Sequence, residues 1–98
     1  CPGCRITFAV PAAIAAARAG ELALAQKHEA QCAYLANVVM RLPAWYAAHD
    51  EVLGHIEATG GRRRTCPARR CKAAAARFRE AGQPLDAVRC ERLATDVV

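Results

Sequence analysis

Glycine and proline recur at intervals that leave stretches of helical length between them, and this spacing constrains the fold more than any other feature. Proline is tolerated in the first turn of a helix, and glycine favours the residue just past its end. Alanine, the best helix former, is abundant, whereas β-branched residues are scattered. The sequence therefore predicts an all-α fold of about five helices. These helices are expected from about Arg5 or Val10 to Ala19, Glu21 to about Leu42, Pro43 to about Thr59, about Pro67 to Ala81, and Pro84 or Leu85 onward.

Apolar residues recur at helical spacing inside these segments, which predicts a buried stripe on each of the last four helices. Phe78 is expected to be the largest core side chain of the fourth helix. Because the linkers are short, neighbouring helices are expected to be antiparallel. The four stripes are Ala25, His28, Cys32, Leu35, Ala36 and Val39; Trp45, Ala48, His49, Val52 and Ile56; Cys71, Ala74, Phe78 and Ala81; and Ala87, Cys90, Leu93, Ala94 and Val97.

An internal repeat of 41 residues accompanies this pattern. The shift places Gly20 on Gly61, Ala33 on Ala74, and Pro43 on Pro84. Helix pairs that repeat at such a spacing are typical of helical-repeat arrays, in which each unit buries its faces only against its neighbours. We therefore expect antiparallel pairs of tetratricopeptide-like type, with an uncovered face at one end.

The length of 98 residues sets one domain as the upper limit. Since the first residue is Cys1 and not Met, we expect residues 1–98 to be a single helical-repeat domain cut from a longer protein. No apolar run approaches the roughly 20 residues of a membrane span, and no signal-peptide pattern is present. These features predict a cytoplasmic protein without a membrane partner.

One segment resembles a known family. Residues 73–90 read AAAARFREAGQPLDAVRC and are similar to the last tetratricopeptide-like unit of large bacterial LuxR-type transcriptional regulators that carry an ATPase domain. In that family an AxxFxxAGQPLDAxRC-like segment lies just before a C-terminal helix-turn-helix. Together with CPGC at residues 1–4, AGE at 19–21 and LPAW at 42–45, the likeness extends over most of the chain.

The resemblance implies a helical array that couples an effector or partner to other domains. Its partners would be proteins or neighbouring domains of the same chain. The chain contains no GxxxxGK[ST] phosphate loop and no recognisable helix-turn-helix. ATP hydrolysis and operator binding are therefore not carried over to any residue, and the expected role is a non-enzymatic interaction and regulatory module.

Four residues have the spacing of a zinc site. Cys1 and Cys4 form a CxxC pair, while His28 and Cys32 lie four residues apart on one predicted helix face. Together they supply a Cys₃His ligand set. This site requires the chain before Pro11 to fold back across the first helix pair.

The alternative is that His28 and Cys32 pack in the core and the CxxC pair is unliganded. A thioredoxin-like redox role for Cys1 and Cys4 lacks the βαβ context of that motif. Cys71 and Cys90 are expected to be core residues. A second hypothesis combines the zinc site with a basic face, giving a small zinc-stabilised helical module that binds nucleic acid.

The chain has a net charge of +5, and most of this excess positive charge lies in its second half. Such a surface can contact phosphates. Because no aromatic residue accompanies these cations on the same predicted face, a solvated face is favoured and direct nucleic-acid binding is not expected. The candidate basic surface consists of Arg62, Arg63, Arg64, Arg69, Arg70, Lys72, Arg77 and Arg79.

The sequence offers little for catalysis. It contains no serine, and its sequence-adjacent acids, Asp50 and Glu51, are expected to point apart on a helix. His49 is predicted to be a partly buried packing residue, and His55 is predicted to be solvated. We therefore do not expect an enzyme.

Overall fold

The computed structural model describes residues 1–60 and 67–96, which are helical with short turns and contain no strand. The prediction of an all-α fold with about five helices is confirmed for this part of the chain. The helices are α1, Pro2–Arg18; α2, Leu22–Tyr34, which continues as a π-helix over Leu35–Met40; α3, Pro43–Gly60; α4, Pro67–Glu80; and α5, Pro84–Asp96.

Most helix boundaries follow the proline and glycine positions. Pro43, Pro67 and Pro84 each occupy the first residue of a helix, where a missing N–H is tolerated. Gly20 and Gly82 adopt φ values of 81° and 77°, the left-handed conformation that reverses the chain after α1 and α4. These turns are therefore set by local residue chemistry.

Two boundaries differ from the prediction. The first helix begins at Pro2, not at Arg5 or Val10, and Pro11 lies inside it. The thiol of Cys1 caps this helix by accepting the N–H of Cys4. The second helix widens over Leu35–Met40 into the π-helical segment, which is called the π-turn below. It ends at Arg41, ahead of Pro43, because Arg41 adopts a left-handed φ of 51°. The residue before a proline disfavours the helical conformation, so the helix cannot continue into α3.

The core consists of small side chains in several adjoining clusters. Along α1, Ala17 packs with Ala25, Ala13 with Cys32, and Ile6 with Leu35 of the π-turn. Val52 of α3 joins the second of these clusters, so α3 lies against the first two helices. Small residues allow helix backbones to approach closely, which suits an alanine-rich sequence.

A second part of the core joins the last three helices. Phe78 is 3% exposed, as predicted, and packs with Ala47 of α3 and Ala87 of α5. Cys71 and Cys90 are buried, which confirms their predicted core positions. The helix α3 therefore lies between the α1–α2 part and the α4–α5 part of the molecule.

Candidate functional site

Two acidic residues on α3, Asp50 and Glu51, are buried. They point apart, as predicted, because Asp50 is paired with α4 and Glu51 with α5, but the sequence analysis did not predict their burial. Glu51 is bound on both carboxylate oxygens by Arg89 of α5, with Nε to Oε2 at 2.9 Å and Nη2 to Oε1 at 2.8 Å. Arg89 also donates to Asp86. The Glu51 side chain is only 3% exposed, so this bidentate pair neutralises a charge that water does not reach.

Asp50, the second buried acid, faces α4. Its Oδ2 lies 3.1 Å from Nη1 of Arg77, and its Oδ1 lies 3.9 Å from Nη1 of Arg70. Arg70 donates in addition to Glu57 at 3.0 Å. Burial raises the pKa of Asp50, while Arg77, Arg70 and His49 act in the opposite direction. Charges therefore join α3 to both helices that follow it.

These ion pairs divide the predicted basic surface. Arg70 and Arg77 neutralise acids of α3, and Arg79 forms a pair with Glu91 at 2.6 Å. Arg69 and Lys72 are exposed and form no ion pair with the described residues. The remaining members, Arg62, Arg63 and Arg64, lie outside the described residues. Three of the five candidate cations that the structure describes, Arg70, Arg77 and Arg79, thus have acidic partners within the fold.

The four predicted zinc ligands do not come together as one set. Cys1 and Cys4 are in contact, with their Sγ atoms 2.9 Å apart. The rings of His28 and Phe8 are in a T-shaped contact, with their centroids 5.9 Å apart. Cys32 is fully buried among Ala9, Ala13 and Val52, and burial raises its pKa to about 11. Within residues 1–60 and 67–96, no three His, Cys, Asp or Glu side chains come together as a set that could hold a metal.

The position of α1 explains this separation. The zinc site required the chain before Pro11 to fold back, but α1 continues through Pro11 to Pro2. Ile6 already lies level with Leu35, so the preceding turn extends beyond the level of Cys32.

A groove runs beside the Glu51–Arg89 pair. It consists of two cavities of about 250 and 450 Å³ that share Val10, Glu51 and Arg89 in their walls. Ile14, Arg18, His55 and Leu93 also line the larger one. The groove therefore combines apolar walls from α1 and α5 with the charges of Glu51 and Arg89, which already neutralise each other.

The two histidines of α3 differ in how well the sequence predicted them. His49 is partly buried, as predicted, and its Nε2 lies 3.3 Å from Oε2 of Glu29 on α2. The prediction that His55 is solvated is wrong, because it is half-buried in the wall of the larger cavity. Burial lowers the pKa of His55, with Arg18 and Arg89 acting in the same direction and Glu51 opposing them.

The exposed face of α5 is a further candidate surface. The helices α1, α3 and α5 begin at Pro2, Pro43 and Pro84, which are 41 residues apart. Ile6, Ala47 and Val88 are therefore equivalent positions. Ile6 and Ala47 are 0% exposed, whereas Val88 is 41% exposed and Leu85 is almost fully exposed. This repeat position is thus buried on α1 and α3 and exposed on α5.

Comparisons of the chain with protein-family models, with curated proteins and with solved structures find no match. In the described part of the chain, no helix combines the length and apolar character needed to cross a membrane.

Proposed function

We propose that this chain is a non-enzymatic interaction module built from antiparallel, tetratricopeptide-like helix pairs, in which α5 presents an uncovered face to a helix of a protein partner or neighbouring domain. The observation that carries the proposal is the exposure of Val88 at a position that is fully buried in α1 and α3. In a repeat array, each unit buries its faces only against adjacent helices. An open third position is therefore a docking surface.

The order of contacts along the first two helices supports antiparallel pairs. The end of α1 packs with the start of α2 through Ala17 and Ala25, and the start of α1 packs with the π-turn through Ile6 and Leu35. In this arrangement α2 covers α1 and α4 covers α3. The helix α5 is then the first member of a third pair.

The chemistry of the partner helix follows from what covers α3. There, Ala47 is buried by Ala74, Ala75 and Phe78 of α4, and Asp50 is paired with Arg77. On α5 the residues at the equivalent positions are Val88 and Glu91. Because Glu91 is already paired with Arg79, a suitable partner is an amphipathic helix with small apolar residues on one face.

We include in the proposal the context that the resemblance noted in the sequence implies, a cytoplasmic LuxR-type transcriptional regulator. The ion pairs of Arg70, Arg77 and Arg79 favour protein contacts over phosphate contacts, because their charges already have acidic partners. Transcriptional regulation would then be exerted through neighbouring domains, not through direct DNA binding by these residues.

A fusion experiment tests the docking surface. A second copy of the α4 sequence, joined after α5 through a turn copied from residues 19–21 between α1 and α2, should pack on Leu85 and Val88. Full burial of an aliphatic side chain contributes about 1.5–3 kcal/mol. One kcal/mol moves the Tm of a domain of this size by roughly 4–8 °C, so the fused protein is expected to melt several degrees higher.

The control is the same fusion with Val88→Asp, which should remove the gain in Tm. Arg92→Asp, a change at another exposed residue on the side of α5 that corresponds to Glu51, should leave the gain in place. A fused helix that leaves Tm unchanged, or a gain that survives Val88→Asp, would reject the proposal.

A further inference from the structure

Two exposed thiols lie in contact at the start of α1. Cys1 caps the helix and Cys4 is its third residue, and their Sγ atoms are 2.9 Å apart. The N–H of Cys4 also donates to Sγ of Cys1 at 3.4 Å. Side chains at these two positions lie on the same side of the helix and within reach of each other. The contact therefore follows from the helix that begins at Pro2.

The other described cysteines have a different environment. Cys32, Cys71 and Cys90 are buried. Burial raises the pKa of Cys32 to about 11 and that of Cys90 to about 12. Because the thiolate is the reactive form, thiols in such surroundings are inert toward oxidants and disulfides. Reactivity among the described cysteines is thus expected at the exposed pair.

We propose that Cys1 and Cys4 are a modification site, at which a low-molecular-weight disulfide such as glutathione disulfide converts the two thiols reversibly into an intramolecular disulfide. The thiolate of one cysteine attacks the glutathione disulfide, forms a mixed disulfide and releases one glutathione. The second cysteine then attacks the protein sulfur of that mixed disulfide and releases the other glutathione. Two protein thiols are oxidised, one glutathione disulfide is reduced, and the two thiol protons pass to the departing glutathiones.

The modification is local. Phe8 lies one turn after Cys4 on the same side of α1, is exposed, and touches the ring of His28. The buried clusters begin on the opposite side with Ile6. A disulfide here therefore changes the exposed end of the first helix pair without opening the core, and it is independent of the α5 docking surface.

Peptide mapping in glutathione buffers tests the site. Trypsin cuts after Arg5, so both thiols remain on one peptide. As the proportion of glutathione disulfide rises, that peptide should lose about 2 Da, the mass of two hydrogens, and stop reacting with an alkylating reagent. Dithiothreitol should reverse both changes. Cys32, Cys71 and Cys90 should resist alkylation until denaturant is added.

A spacing variant keeps both thiols but separates them. One alanine inserted after Gly3 turns the second cysteine by about 100° around the helix axis. We expect this variant to accumulate glutathione adducts in place of the internal disulfide. The proposal is overturned if the native pair also carries only separate adducts or joins Cys66. It is equally overturned if the reduced pair resists alkylation until a chelator is added, since its chemistry would then be metal binding.

Discussion

The first two helices and the next two occupy equivalent places in the 41-residue repeat, but different interactions hold their equivalent residues in the fold. Ala9 and Val10 of α1 correspond to Asp50 and Glu51 of α3. The α1 positions pack against apolar side chains, whereas the α3 positions carry buried charges that Arg77 and Arg89 neutralise. The comparison teaches that a repeat position is buried where a neighbouring helix covers it, and that its residue type then sets which partner side chain that helix must supply.

The largest difference in stability between the two helix pairs should appear when a buried charge of α3 loses its ion-pair partner. Arg89→Met leaves Glu51 buried without a cation, and breaking a buried pair costs about 3–5 kcal/mol. The Arg89 side chain is 50% exposed, so we expect a loss near the lower end, about 3 kcal/mol in urea unfolding. Lys72→Met, an exposed change on α4, should cost less than about 0.5 kcal/mol.

A double replacement makes α3 resemble α1 and so tests the same contrast from the other side. Glu51→Leu combined with Arg89→Met removes both charges and keeps similar volumes. Replacing a buried ion pair with apolar residues is often neutral. The double variant should therefore lie within about 1 kcal/mol of the native protein. If it is as unstable as Arg89→Met alone, the pair contributes more than mutual neutralisation and the comparison fails.

A smaller effect on the free energy of unfolding is expected from the titration of His55 on α3. The folded protein holds the pKa of His55 below its usual value of 6.5, mainly because the ring is half-buried. As the pH falls below that value, the unfolded chain takes up the proton first. Stability should therefore decline between pH 7.5 and 5.5, and His55→Gln should reduce this decline. Equal slopes for the two proteins in pH-dependent melting would show that His55 is solvated, as the sequence suggested.

The smallest effect is expected at the exposed ion pair between α4 and α5. Arg79 and Glu91 are each about half exposed, and such pairs contribute roughly 0–1 kcal/mol. Arg79→Ala should thus change the free energy of unfolding by less than about 1 kcal/mol, and added salt should reduce the difference. A loss as large as that of Arg89→Met would mean that distance alone, not burial, decides the contribution of these pairs.

Local signals account for what the sequence predicted well. Proline at 43, 67 and 84 and glycine at 20 and 82 act on their own backbone, so the helices and their turns followed from them. Pro11 was misleading, because an internal proline disfavours a helix but does not always end it, and α1 continues through Pro11. The contact between Cys1 and Cys4 also depends only on neighbouring residues.

Distant partners account for what the sequence missed. Glu51 and Arg89 are 38 residues apart, and no feature near either one identifies the other. The alignment of Asp50 and Glu51 with Ala9 and Val10 was a usable signal, since it placed two acids on a buried face. Whether Cys32 joins Cys1 and Cys4 depended on the course of α1 as a whole, which spacing alone did not determine.

The central claim, that α5 is the open member of a third helix pair, is tested most directly by amide hydrogen exchange. In the protein alone, amides of α5 should exchange faster than those at equivalent positions of α3, because fewer buried contacts hold them. In the fusion that carries a second α4 sequence after α5, protection around Val88 should rise toward that of Ala47. Unchanged α5 protection in the fusion would contradict the account.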